Sequence, residues 1–310
     1  MNIIDFHCDT ISQIYANNCN LLSNNFSVDI KKLQNAHSLA QFFALFVELN
    51  PKKDPFDVCC NMLNKFYDEI NKNKNIISVA TNYHDLIKNK SKNKISAFLT
   101  IEEGAVLKGN IFNLKKFYDK GVRLITLTWN FPNEIGYPNA IAKFRNKGLT
   151  PFGIELIHEM NNLNMIIDVS HLSDGGFYDV AKYSKVPFVA SHSNSRSITN
   201  HPRNLTDDMI KIISEKGGII GINFFGKFLG GGNFSKIDDM LRHINYIKNI
   251  GGIDVLSLGS DFDGIDSILE IPNIANIDKL IYALKLHGFS ENAIEKIFYK
   301  NALRVIKEVC

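Results

Sequence analysis

The stretch from Met165 to Arg203 most constrains what this chain can fold into. It opens with Met165-Ile166-Ile167-Asp168-Val169-Ser170, a largely apolar β run that stops on His171. A helical segment, Asp174 to Lys185, comes next, then a second apolar run, Val186 to Ala190, that stops just before His192. Strand, helix and parallel strand within about 30 residues make a βαβ unit. Both strands lead into an imidazole, and in a parallel barrel such ends share one rim, where chemistry collects. A lone histidine at a strand end is more often a hydrogen-bonded loop residue than a ligand. Two on neighbouring strands raise the prospect of a metal site.

The same punctuation recurs along the chain. Lys120-Gly121 closes a helix before Val122 to Thr128, Gly217-Gly218 precedes Ile219 to Ile222, and Gly251-Gly252 precedes Val255 to Leu258. A glycine at a helix end followed by an apolar β run marks an αβ joint. With Asn2 to Asp9, Leu39 to Val47 and Ile95 to Ile101, about eight strands are expected. The expected fold is an α/β, (β/α)8 TIM-type barrel, a single domain over residues 1–310. That type of barrel takes roughly 250 residues, so 310 leaves room for insertions. Ser290 to Val309 reads as a terminal amphipathic helix packed outside the barrel. Lys88 to Lys94 reads as a solvated loop, and Gly230-Gly231-Gly232 as a mobile one without a phosphate-binding lysine.

Several functions are disfavoured at this stage. The 35 basic and 32 acidic residues balance to +3 with no basic block, which argues against a nucleic-acid partner. Five cysteines without a CxxC spacing fit reduced, intracellular usage. Met1-Asn2-Ile3-Ile4-Asp5 lacks the regions of a signal peptide, and no apolar run approaches about 18 residues. A cytoplasmic location without a membrane anchor is expected, and a homodimer stays open.

The strand ends gather the chemistry. His7 and Asp9 stand two apart at the first strand end, spacing that puts both on one face. Glu102 follows Ile95 to Ile101, His171 and His192 end the βαβ strands, and Asp261 follows Val255 to Leu258. Mixed nitrogen and oxygen donors suit zinc or a similar divalent ion, and a carboxylate can bridge two. Asp168 and Asp263 read as supporting residues, His243 as a packing histidine and His158 as solvated. His201, Asn223 and Phe224 are candidates for the pocket wall.

Taken together these pieces resemble the membrane (renal) dipeptidase family of zinc dipeptidases. The resemblance rests on Asp5-Phe6-His7-Cys8-Asp9, Ile101-Glu102-Glu103-Gly104, Ile125-Thr126-Leu127-Thr128 and Asp168-Val169-Ser170-His171. It continues through Ser191-His192-Ser193-Asn194-Ser195, Pro202-Arg203-Asn204-Leu205 and Gly259-Ser260-Asp261-Phe262-Asp263-Gly264, in the family's order and over nearly the whole chain. It implies a metal-dependent hydrolase barrel with two zinc ions, one held by His7, Asp9 and Glu102 and the other by Glu102, His171 and His192. It further implies Glu102 and Asp261 as catalytic groups, with Asp261 touching the first ion and moving a proton, and Arg203 as the holder of a dipeptide's carboxylate. Where many members carry a histidine after Thr-Leu-Thr, this chain has Trp129, a residue with one N–H donor and no basic nitrogen. A lactonase or deaminase on the same barrel, or a non-catalytic binding protein, is the alternative.

Overall fold

The computed structural model describes residues 1–310. Its strands are β1 (Ile3–Cys8), β2 (Ser38–Phe46), β3 (Ile77–Val79), β4 (Ile95–Glu102), β5 (Val122–Thr126), β6 (Ile166–Asp168), β7 (Val189–Ala190), β8 (Ile219–Ile222), β9 (Phe234–Ser235), β10 (Leu256–Leu258) and β11 (Ile268–Leu269). The main sheet runs β2-β1-β10-β8-β7-β6-β5-β4-β3, and β2 pairs back onto β4. Eight parallel strands thereby close a barrel, and β3 flanks the lower part of β4. The small β9 and β11 pair is separate.

Alternation along β4 shows how the strands are placed. Ile95, Ala97, Leu99 and Ile101 join the apolar layer beneath the helices, while Phe98 faces the barrel interior. A period of two therefore puts Glu102 on the inner face, at the carboxyl end of its strand. Inside, Phe6, Phe42 and Phe98 stack in sequence, with ring centroids 4.1 and 4.6 Å apart. Each such pair contributes about 0.5–1.5 kcal/mol beyond its buried area. The helices begin where the sequence caps them. Thr150 accepts from the Gly153 amide before Pro151–Asn162, and Thr206 accepts from the Met209 amide before Asp207–Glu215.

Three expectations are corrected. Val189–Ala190 is shorter than the apolar run that suggested it, since Pro187 has no N–H for a ladder. Residues 88–91, expected as loop, complete the helix Tyr83–Ser91, which Asn82 caps. The terminal helix does not lie outside the barrel. A π-helical turn, Lys296–Lys300, separates Glu291–Glu295 from Asn301–Val309. Ala302, Val305, Ile306 and Val309 then pack with Ile4, Leu124, Ile166 and Ile219 of the strands, so this last segment closes the interior at the strands' amino ends. No helix is long and apolar enough to cross a membrane.

Candidate metal centre

Each predicted ligand sits at or just beyond the carboxyl end of a barrel strand. His7 lies at the end of β1, where the four residues Asp5 to Cys8 oppose the three residues Gln41 to Phe43 of β2. That extra residue breaks strict alternation, so it is not strand spacing that brings His7 and Asp9 together. Asp9 is not on the strand but at the cap of the helix Thr10–Ala16. His171 and Asp261 have φ values of 71° and 63°. Left-handed backbone is uncommon for side-chain-bearing residues and costs about 1–3 kcal/mol, and it clusters at functional sites. The barrel is also pinched here. A Cβ on Gly221 or Gly259 would collide with the Ser191 carbonyl oxygen, so only glycine lets β8 and β10 approach the end of β7.

The side chains converge on Glu102. Its Oε2 lies 3.1 Å from His7 Nε2, and its Oε1 lies 3.0 Å from His171 Nε2 and 3.6 Å from His192 Nε2. His7 Nε2 is also 3.4 Å from Asp9 Oδ2 and 3.9 Å from Asp261 Oδ1. Donor atoms of His7, Glu102 and His192 form one compact set, and those of His7, Asp9 and Asp261 another. His7 belongs to both, so the cluster is continuous. All six residues are buried.

The donor set fits cations. His171 Nε2 and His192 Nε2 are 3.0 Å apart. His171 Nδ1 faces Asn130 Oδ1 at 3.2 Å, an acceptor, so the proton belongs on Nδ1. His192 Nδ1 lies 2.7 Å from Ser191 Oγ, whose own hydrogen goes to Asp168 Oδ2 at 2.6 Å. Both imidazoles thus turn bare Nε2 lone pairs toward each other, an arrangement that a cation between them relieves. Neither ring nitrogen of His7 has a hydrogen-bond partner, and Asp9 Oδ1 has none. Orphaned buried polar atoms of this kind call for a missing partner.

Charge tells the same story. Burial pushes His171 down to about 4, and burial pushes His192 well below its usual value, so both are neutral, as ligands must be. Burial would also lower His7, but the carboxylates of Glu102 and Asp9 outweigh it and raise it well above the ordinary value. Burial and the charge of Glu102 lift Asp9 to about 7, and burial lifts Asp261 above the usual range. Burial would raise Glu102 as well, but His7, His171 and His192 outweigh it and hold Glu102 well below the usual carboxylate range, so within the cluster His7 is set against three buried carboxylates.

A cavity of about 270 Å³ opens onto the cluster. Its floor includes Asp9, Glu102, His171 and Asp261; Phe46, Trp129, Phe225 and Phe228 stand on its walls. Small-molecule sites run from about 300 Å³ upward, so this one suits a compact ligand. Trp129, which stands where many members of the resembled family carry a histidine, thus borders the cavity. Asn223 is not on the wall but fully buried, donating from Nδ2 to Asp261 Oδ2 at 2.8 Å. Phe224 is fully buried as well. Arg203 is 3% exposed; one nitrogen donates to the His192 carbonyl at 3.3 Å, while Nε and Nη1 have no partner. Asp263 also borders the cavity, its carboxylate held by donors from Thr10, Ser27 and Val28. His243 is a packing residue as expected: its Nδ1 accepts from the Ser195 amide, and Nε2 faces the Leu229 carbonyl.

Sequence reasoning passed over Glu103. It is fully buried at φ 89°, accepting from the Ala105 and Trp129 amides and from Asn133 Nδ2. Glu103 therefore shapes the loop that carries Trp129 and Asn130. Its only signal was its place between Glu102 and Gly104.

A family model described as membrane dipeptidase (peptidase family M19) matches residues 1–310. The chain belongs to the membrane dipeptidase family. An uncharacterized protein of the pqqA 5′ region of Klebsiella pneumoniae is 38% identical over 229 residues, covering 70% of this chain and 84% of that protein. An uncharacterized dipeptidase of Schizosaccharomyces pombe is 30% identical over 296 residues, covering 90% of this chain and 72% of that one. Among solved structures, a metallo peptidase from Rhodobacter sphaeroides, liganded with a phosphinate mimic of the dipeptide L-Ala-D-Ala, superposes with a TM-score of 0.93. It is 23% identical, and the match covers 100% of this chain and 99% of that one, a likeness of fold. Membrane dipeptidase membership places the chain among metallo-dipeptidases, with a buried His, Glu and Asp cluster as its candidate metal site.

Proposed function

We propose that this chain hydrolyses the peptide bond of dipeptides at a pair of divalent cations, zinc by the character of the donors. His7, Asp9, Glu102, His171, His192 and Asp261 would hold them. The observation that carries this reading is the division of Glu102, with one carboxylate oxygen toward His7 and the other toward His171 and His192. A carboxylate placed that way can bridge two ions. The Rhodobacter relative liganded with a dipeptide mimic supports the substrate class.

Bound in this cluster, the cations would supply Lewis acidity at the carbonyl and acidify a water molecule. The chain's own residues do the rest. Asp261 accepts the proton released as water adds to the amide carbon, then returns it to the leaving amine. Asn223 holds Asp261 Oδ2 and leaves Oδ1 on the side of His7. Glu102 fixes the cluster from beneath. Arg203 offers Nε–H and Nη1–H to the substrate's terminal carboxylate, a charged pairing that favours dipeptides over longer chains. Burial lowers its pKa to about 10, so it keeps its charge at neutral pH. Trp129 forms part of the wall around the substrate.

The test is a panel of dipeptides, lactones and aminated bases, assayed with added zinc and again with chelator. Dipeptide turnover that chelator abolishes and zinc restores is expected. Turnover of lactones or aminated bases alone would favour a sister hydrolase, and no turnover at all a binding protein.

A further inference from the structure

The cavity has two aromatic walls, and the topology sets them opposite each other. In the ring of eight strands, β4 and β8 lie four steps apart in either direction. Phe46 ends β2 and Trp129 follows β5, the two neighbours of β4, so this pair flanks Glu102. Their rings meet edge to face with centroids 4.8 Å apart, and Trp129 lies 6.4 Å from the His171 ring. Phe225 and Phe228 follow β8, their centroids 4.7 Å apart. The Arg203 guanidinium lies 5.2 Å from the Phe228 ring.

We propose that Phe46 and Trp129 form the pocket for the side chain of the substrate's first residue, and that the enzyme prefers dipeptides whose first residue is large and apolar. This rests on the dipeptidase reading above. A carboxylate held by Arg203 puts the second residue beside Phe228. The scissile carbonyl then lies over Glu102 and His171, at the centre of the ring. The first residue has to continue toward the opposite wall, and that wall is Phe46 and Trp129. A flat indole and a phenyl ring inclined at 64° make an apolar corner with little to offer an acidic or small side chain. Filling such a corner is worth about 1–3 kcal/mol, or about 10–200-fold in kcat/KM.

The zinc-loaded enzyme and its Trp129→Ala variant are compared on Phe-Ala, Ala-Ala and Ala-Phe, with metal content measured in both. Wild type is expected to favour Phe-Ala over Ala-Ala by at least about tenfold. Trp129→Ala is expected to cut that ratio about tenfold through KM, without a matching change in the ratio of Ala-Phe to Ala-Ala. Loss of rate on all three substrates in equal proportion would overturn the proposal and leave dipeptide hydrolysis standing. So would an unchanged ratio. A wild-type enzyme that holds its metal and cleaves none of the three would overturn both readings. Trp129 is the only tryptophan in the chain, which gives a second readout. In zinc-loaded Asp261→Asn, its emission should respond to Phe-Ala at lower concentration than to Ala-Ala. Coincident titrations would contradict the assignment.

Discussion

Single residues here act through the partners that orient them. Asp261 is pinned by Asn223 on one oxygen and open on the other, the disposition of a group that moves a proton. Asp261→Asn is expected to keep its bound metal while kcat falls about 10²–10⁴-fold, a range typical of lost acid–base help. Parallel metal analysis and steady-state kinetics check this, and full turnover with intact metal would remove Asp261 from the proton path. His192 depends on Ser191, whose hydroxyl links its Nδ1 to Asp168. Without that acceptor the ring can flip or change tautomer, so Ser191→Ala should weaken metal affinity about 10–100-fold. Chelator competition measures it, and Ser191→Thr should restore most of the loss. Equal affinity in Ser191→Ala would show that the ring needs no such guide.

At the scale of elements, most of the eight barrel strands were legible as short apolar runs bounded by glycine or by a candidate ligand at the strand end, and β2 by its nine-residue, largely apolar length. β3 was not, being three residues of mixed exposure, and β9 and β11 are two residues each. The candidate ligands were legible because imidazoles and carboxylates recur where the apolar β runs end. The turns that aim them were not. Asp9 and Asp261 leave the strand before they reach the site, and only the backbone shows it. Asn223 looked like a pocket residue because it follows a strand, yet its amide is spent on Asp261. The loop after β7 is tied to the helix Ile237–Gly251 through His243. Burial lowers this imidazole to about 4. Unfolded histidine takes up its proton near 6.5, so between those values the unfolded chain binds more protons. Its stabilising effect is full above about pH 6.5 and is lost as pH falls toward 4, by up to about 3 kcal/mol. Denaturant titrations at pH 7 and pH 4.5 should show a smaller acid loss in His243→Gln than in wild type. Identical losses would exclude His243 as a source of acid sensitivity.

Across the whole molecule, one end of the barrel is plugged and the other carries the chemistry. Val305 of the terminal helix is fully buried among interior side chains at the plugged end. Val305→Asp would bury an unpaired carboxylate there, and a loss of about 4 kcal/mol or more in urea unfolding is expected. An unchanged midpoint would mean that the helix does not seal the barrel. At the open end, everything turns on whether Glu102 and the five donor residues around it hold two ions. Crystals of the zinc-loaded protein, measured on both sides of the zinc absorption edge, address this most directly. Two anomalous peaks about 3.5–4 Å apart, one on each side of the Glu102 carboxylate, are expected. No peak at the cluster, or a single one with His171 and His192 left unligated, would contradict a two-ion site.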